Sequence, residues 1–193
     1  MILGITGSSG AGKSTVCEIL EKKYESQTIN ADKIAKQLSK AGTDYLSEIV
    51  SKFGEDILLE SGELNRRKLA YIIYSNQNKR DELNNITFKY IKDEIQAQIQ
   101  KSNNKLIAID APLLLEANLQ GICDKTIAVI SEDRNIQIQR IIKRDNIDKE
   151  HAIARLSAQH SNEFYIKRCD YTLINNETLE NQIKEILKKL EVQ

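Results

Sequence analysis

Short apolar segments alternate with longer segments of helical periodicity along this chain. Runs such as Ile2–Ile5 lack the apolar–polar alternation of a half-exposed strand, which is typical of strands buried on both faces of a sheet. The predicted strands span residues 2–5, 27–30, 105–110, 126–130 and 171–174. Because helical segments separate them, we expect an α/β fold with a five-stranded parallel sheet between two helical layers.

The helical segments divide the chain further. Residues 43–102 are almost entirely helical in pattern, and the longest predicted helix covers 79–101. Residues 133–145 and 148–168 are also helical in pattern and rich in arginine. We therefore expect a single domain over 1–193, with a helical insert at 43–102 and a lid region at 133–168.

A glycine-rich segment follows the first strand. Gly7, Gly12, Lys13 and Ser14 match the phosphate-binding loop pattern G-x-x-x-x-G-K-[ST], placed between a strand and a helix as that motif requires. Backbone N–H groups of such a loop form an anion-binding nest, and the helix dipole adds positive potential. We expect a nucleotide phosphate to bind here; the alternative is a Gly/Ser linker that matches the pattern by composition. The residues of this segment predicted to bind the nucleotide are Gly10, Ala11, Gly12, Lys13, Ser14 and Thr15.

Two acids follow predicted strands, at the sheet edge where ligands of such folds bind. Asp110 ends an apolar strand, and with the Ser14 hydroxyl it is the candidate Mg²⁺ ligand, directly or through water. The alternative is a capping or turn aspartate. Asp32 begins a helix two residues after a strand, so it is either a helix N-cap or a general base that deprotonates an attacking hydroxyl.

Arginines are concentrated in the lid region. Arg140 and Arg144 are four residues apart and share one helix face, where like charges repel unless an anion lies between them. A transferring phosphoryl group is such an anion. The alternative is a basic surface helix paired with neighbouring acids such as Asp145.

Overall composition limits the possible partners. The net charge is zero, so we expect neither nucleic acid nor membrane as a partner. Cys17, Cys123 and Cys169 are too far apart in sequence to suggest a metal site and favour a reducing, cytoplasmic location. We expect the chain to be a monomer.

Several segments together resemble the dephospho-coenzyme A kinase family over nearly the whole chain. The most distinctive is Pro112-Leu-Leu-Leu-Glu116, which is similar to the family's Pro-Leu-Leu-x-Glu. The other matching segments are Thr6–Thr15, Asn30–Ala35, Leu64–Arg67, Gln137–Asp145, Gln159 and Asp170–Asn176.

The resemblance implies a P-loop kinase that transfers the γ-phosphate of ATP to the ribose 3′-hydroxyl of dephospho-CoA, with Mg²⁺ as cofactor. It implies Asp32 as the base, and Lys13, Arg140 and Arg144 as the groups that stabilise the phosphoryl group. Asn175 would lie near the adenine of ATP. The implied acceptor-binding residues are Thr6, Asp32, Arg66 or Arg67, Pro112, Leu113 and Glu116.

Two positions depart from the family pattern. Asn30 replaces the first acid of an Asp-Ala-Asp segment, which should matter little if Asp32 is the base. Phe88-Lys89 stands where the family usually has His-Pro, so details of the acceptor pocket differ and the helix is expected to run straighter.

Three other functions fit the sequence less well. Another small-molecule P-loop kinase, acting on a nucleoside or nucleotide, explains the loop but not Pro112–Glu116. A GTPase switch normally has Asp-x-x-Gly after the magnesium strand, whereas this chain has Asp110-Ala-Pro-Leu. An inactive kinase-like scaffold does not account for the retained Lys13, Asp32 and Arg140.

Overall fold

Five strands form one sheet in the structure, a computed structural model that describes residues 1–74 and 76–192. Ser75, inside the predicted insert 43–102, and Gln193, the last residue of the predicted domain 1–193, lie outside the described residues. The strands are β1 Ile2–Thr6, β2 Gln27–Asn30, β3 Ile107–Asp110, β4 Lys125–Ile130 and β5 Tyr171–Ile174. Their order is β2-β3-β1-β4-β5, and β1 pairs in parallel with both β3 and β4. The predicted α/β class with a five-stranded parallel sheet is confirmed.

Nine helices are described within residues 1–74 and 76–192. They are α1 Lys13–Tyr24, α2 Ala31–Leu38, α3 Asp44–Phe53, α4 Arg66–Tyr74, α5 Gln77–Lys101, α6 Arg134–Asp145, α7 Lys149–Ser157, α8 Asn162–Ile166 and α9 Leu179–Lys189. No helix among the described residues is long and apolar enough to cross a membrane.

The chain packs as two units. One comprises Met1–Ile29 and Ser102–Gln193, and the other comprises Asn30–Lys101. In the first unit, Leu3 and Ile5 of β1 face Val16 and Leu20 of α1, with helix α9 completing the same apolar cluster. The loop that follows β1 therefore begins from a strand whose side chains are buried in the core.

The second unit has its own core. Helices α3 and α4 contact α5, and the buried cluster includes Tyr45, Ile49, Ile57 and Leu69. Tyr45 meets Tyr90 of α5 edge to face, with ring centroids 5.6 Å apart. This agrees with the helical pattern of residues 43–102, and whether they form an acceptor-binding insert stays a prediction.

One predicted helix is interrupted. The pattern over 148–168 predicts continuous helix, but the structure has α7 and α8 with a break between them. Helix α7 ends at Ser157, and Ser161, which is extended with φ −70° and ψ 162°, is the N-cap of α8. The break frees Gln159 to contact the glycine-rich loop, where it accepts a hydrogen bond from the Ser9 N–H at 2.8 Å.

Candidate active site

The glycine-rich loop joins the end of β1 at Thr6 to the start of α1 at Lys13. Gly12 occupies the N-cap position with φ 106°, and a Cβ there would collide with the side-chain amide of Asn175. Gly10 has φ 74°, and a Cβ there would lie 2.7 Å from the Gln137 carbonyl oxygen. Both positions thus require glycine, for backbone conformation and for close approach of neighbouring elements.

Lys13 lies against the loop that it follows. Its Nζ donates to the carbonyl oxygens of Gly7 at 2.7 Å and Ser8 at 3.3 Å. The next two residues, Ser14 and Thr15, present exposed hydroxyls in the first turn of α1. Positive charge, hydroxyl groups and the N-terminus of a 12-residue helix therefore meet at one point, as an anion site requires.

Arg140 and Arg144 both reach the loop from α6. Arg140 Nη1 donates to the Gly10 carbonyl oxygen at 3.2 Å, and Arg144 Nη2 donates to Ser9 Oγ at 2.9 Å. Arg144 also forms a bidentate pair with Asp145, at 2.8 Å for both bonds, and these hydrogen bonds lower the pKa of Asp145. The two arginines therefore contact the loop, and Arg144 also pairs with a neighbouring acid. Their action on a phosphoryl group stays a prediction.

Three amide side chains also hold the loop, and no local sequence pattern predicts a partner for any of them. Gln137 Nε2 donates to the Ser9 carbonyl at 3.0 Å and to Ser8 Oγ at 2.6 Å. Asn175, which follows β5, donates to the Ala11 carbonyl at 2.8 Å. With Gln159, these side chains lie more than a hundred residues from the loop in sequence, so only the folded chain shows the contacts. Their one sequence signal was the family resemblance.

Asp110 is the acid that ends β3. In the parallel register it lies beside Ile5, one residue before the end of β1, and only 7% of it is exposed. A carboxylate and a hydroxyl such as that of Ser14 are hard oxygen donors, the set that suits Mg²⁺. Among residues 1–74 and 76–192, no three His, Cys, Asp or Glu side chains cluster as metal ligands. Mg²⁺ typically takes few protein ligands and completes its shell with phosphate and water, so these residues fit it.

The segment after β3 holds the other candidate acceptor residues of this unit. Thr6 Oγ1 donates to the Pro112 carbonyl at 3.2 Å, and Leu113 is 53% exposed. Glu116 pairs with His160, with Oε1 and Nε2 3.3 Å apart, while Glu116 Oε2 is buried and has no hydrogen-bond partner among the described residues. His160 in turn stacks on Phe164 at 3.6 Å between centroids. Sequence reasoning missed the role of His160 in holding the signature glutamate.

The helical unit Asn30–Lys101 carries Asp32, Arg66 and Arg67. Asn30 is the N-cap of α2, since its side chain accepts a hydrogen bond from the Lys33 N–H at 2.8 Å. The N-cap interpretation of Asp32 is therefore wrong, and its exposed carboxylate lies in the first turn of α2. Arg66 Nη2 donates to Ser39 Oγ at 2.9 Å and to the Ala35 carbonyl at 3.3 Å.

Comparison with known proteins decides which family this is. The profile described as dephospho-CoA kinase matches residues 1–181. A protein of Listeria innocua serovar 6a named dephospho-CoA kinase is 37% identical over 192 residues, which cover 98% of this chain and 95% of that protein. The chain belongs to the dephospho-CoA kinase family.

Solved structures agree with this membership of the dephospho-CoA kinase family. The crystal structure of TT1252 from Thermus thermophilus is 25% identical with a TM-score of 0.81, and the match covers 98% of this chain and 97% of that one. A dephospho-CoA kinase from Campylobacter jejuni is 28% identical with a TM-score of 0.63, covering 98% of this chain and 95% of that one. The predicted P-loop kinase fold is therefore confirmed.

As a member of the dephospho-CoA kinase family, the chain is an enzyme, a kinase of coenzyme A biosynthesis. The function and enzyme class predicted from the sequence are confirmed, and the alternative of a nucleoside or nucleotide kinase is not favoured. The roles of individual site residues stay predictions.

Proposed function

We propose that the chain phosphorylates the ribose 3′-hydroxyl of dephospho-CoA with MgATP held by the Gly7–Ser14 loop. The observation that carries this proposal is the contact of Arg140 with the loop at the start of α1, reinforced by Arg144 at Ser9. Donor phosphates bound there would lie between a helix N-terminus and two guanidinium groups, where negative charge is most favoured.

On the ATP side of the site, positive charge and oriented N–H groups would hold the phosphates. The loop N–H groups and the Lys13 ammonium bind the outer phosphates, and Arg140 and Arg144 neutralise charge that spreads over the transferring group. The other loop positions, Ala11 and Thr15, contribute backbone and first-turn contacts, and Asn175 holds Ala11. Because these groups are held by the fold, little reorganisation is needed at the moment of transfer.

Ser14 and Asp110 would hold the Mg²⁺ ion, directly or through water. When bound, the ion supplies positive charge that offsets the charge of the β- and γ-phosphates. Asp110 suits this role because β3 buries most of its side chain and fixes its position beside β1.

On the acceptor side, Asp32 takes the proton from the 3′-hydroxyl. Asn30 already caps α2, so the Asp32 carboxylate is not needed for that structural task. This also accounts for the departure from Asp-Ala-Asp, because asparagine caps a helix as well as aspartate does.

The remaining predicted residues would bind the acceptor. Four of them belong to the unit that contains the sheet: Thr6, Pro112, Leu113 and Glu116. The Thr6 hydroxyl donates to the Pro112 carbonyl and so joins the end of β1 to the segment 112–116. Arg66 or Arg67 would contribute positive charge from the insert 43–102. The Arg66 guanidinium is bonded to α2 and to Ser39, whereas the Arg67 side chain has no hydrogen bond or ion pair within the described residues. The lid region 133–168 would limit water access during transfer.

We also propose that the chain acts in the cytoplasm as a monomer, with no nucleic acid or membrane partner. All three cysteines are free thiols, which is compatible with a reducing compartment. The zero net charge gives no general attraction to polyanions.

The proposed base is tested by Asp32→Asn. This change keeps the side-chain shape and removes the proton acceptor, so kcat should fall about 10²-fold or more. The measurement is the initial rate of ADP formation with saturating ATP and dephospho-CoA. Asp44→Asn, which changes an exposed aspartate in the first turn of α3, is the matched control and should leave kcat within about twofold. Equal rates for Asp32→Asn and the wild-type chain would show that Asp32 is not the base.

A further inference from the structure

The phosphate loop is held by a different side chain at each of four successive peptide groups. The Ser9 N–H donates to Gln159 Oε1 at 2.8 Å, and the Ser9 carbonyl accepts from Gln137 Nε2 at 3.0 Å. The Gly10 carbonyl accepts from Arg140 at 3.2 Å, and the Ala11 carbonyl accepts from Asn175 at 2.8 Å. The peptide groups from Ser8 to Gly12 are thus each oriented from outside the loop.

These contacts determine where the loop N–H groups point. A peptide group is planar and trans, so the carbonyl of one residue and the N–H of the next point in opposite directions. Gln137 holds the Ser9 carbonyl toward itself, so the Gly10 N–H of the same peptide group points away from Gln137. Asn175 holds the Ala11 carbonyl, so the Gly12 N–H points away from Asn175. An anion nest depends on this common direction of successive N–H groups.

Gln137 is buried against the phosphate loop, where it can orient the loop but cannot add charge. It is 4% exposed, and its Nε2 group also donates to Ser8 Oγ at 2.6 Å. Its own helix packs closely on the loop, because a Cβ at Gly10 would lie 3.2 Å from Ile141 Cγ1. A buried amide nitrogen is costly unless its hydrogen bonds are made, and here the loop accepts two bonds from Nε2. Unlike Arg140, the two glutamines carry no charge that could stabilise a phosphoryl group.

We propose that Gln137 and Gln159 are positioning residues that orient the phosphate loop for ATP before ATP binds. This inference rests on the proposed binding of ATP at the loop. A loop without these contacts samples other peptide orientations, and binding then has to restore the correct one, which weakens the apparent affinity. The effect is confined to ligands that carry phosphate at the loop.

Gln137→Met and Gln159→Met test this role, because methionine keeps the length of the side chain and removes its polar atoms. Each variant should bind ATP at least about tenfold more weakly in titration calorimetry, because Gln159→Met removes one hydrogen bond to the loop and Gln137→Met removes two. The KM for ATP should rise by a similar factor. The kcat at saturating ATP, the KM for dephospho-CoA and the affinity for adenosine should change less than about twofold. Inorganic tripolyphosphate should show the same loss as ATP.

Gln139→Met is the matched control, since Gln139 lies on the same helix and is exposed. It should bind ATP as the wild-type chain does. Gln159 is only half-buried, so its variant keeps the test valid if Gln137→Met does not fold. Wild-type ATP affinity in the Gln159 variant, or an equal loss of adenosine and dephospho-CoA binding, would overturn the inference alone. A wild-type chain that binds no ATP would overturn the proposed function as well.

Discussion

At the scale of single residues, Lys13 combines a structural and a chemical role. Its ammonium bonds two carbonyls of its own loop, and the proposed function assigns it to the outer phosphates of ATP. The structural role is shared, because Gln137, Arg140 and Asn175 also hold the loop. The chemical role is not shared in the same way, because the positive charge that Lys13 brings to the phosphates is harder to replace.

Lys13→Met should therefore lower kcat/KM by about 10²-fold or more while the protein stays folded. Thermal unfolding should shift by only a few degrees, since the lost hydrogen bonds are partly exposed. Lys22→Met, an exposed change on the same helix, should leave both properties near wild type. Unfolding of the Lys13 variant, or retention of full activity, would contradict this separation of roles.

At the scale of elements, the cap of α2 explains how the chain departs from its family without losing the helix. Asn30 supplies the oxygen that binds the Lys33 N–H, so the first turn that carries Asp32 is fixed. Asn30→Ala should destabilise the protein by about 1 kcal/mol, and Asn30→Asp should restore most of that loss. Urea unfolding of the three proteins measures this. Equal stability of Asn30→Ala and wild type would show that α2 does not depend on its cap.

Some elements were predictable from the sequence, and others were not. The β1–loop–α1 segment was predictable because its pattern is local: an apolar run, fixed glycines, then Lys13 at the start of a helix. The break between α7 and α8 was not, because Ser161 gives only a weak local signal. The contact of Gln159 with the loop spans 150 residues in sequence, and the Glu116–His160 pair likewise joins distant segments. Such contacts depend on the whole fold rather than on local pattern.

At the scale of the whole molecule, the number and direction of the strands followed from their buried, helix-separated pattern. Their order in the sheet did not, since nothing in the sequence says that β3 lies between β2 and β1. That order matters for the site because it sets Asp110 beside the strand that leads into the phosphate loop.

The sheet edge contains a carboxylate that links stability to pH. Asp170 accepts hydrogen bonds from the Thr126 N–H at 2.8 Å and the Thr126 hydroxyl at 2.7 Å, and it pairs with Lys125. Burial alone would raise its pKa, but these bonds outweigh burial and lower the pKa below the ordinary 3.8. A lowered pKa means that the native state favours the charged form. The resulting stability is present above pH 3.8 and is lost as pH falls below it.

Asp170→Asn should therefore cost more stability at pH 7 than at pH 3, with the two unfolding curves converging in acid. Urea unfolding at both pH values measures the difference. Glu177→Gln, an exposed change a few residues later, should show no such convergence. A stability loss in Asp170→Asn that is the same at both pH values would mean that the charge of Asp170 does not contribute.

In the proposed function, this loop and these side chains transfer the γ-phosphate of ATP to one acceptor, dephospho-CoA. The most direct test incubates the purified chain with MgATP and an equimolar mixture of dephospho-CoA, adenosine, AMP and uridine, and identifies the products by mass. We expect coenzyme A as the phosphorylated product, with the new phosphate on the 3′-hydroxyl. Phosphorylation of a nucleoside or nucleotide without formation of coenzyme A would contradict the account.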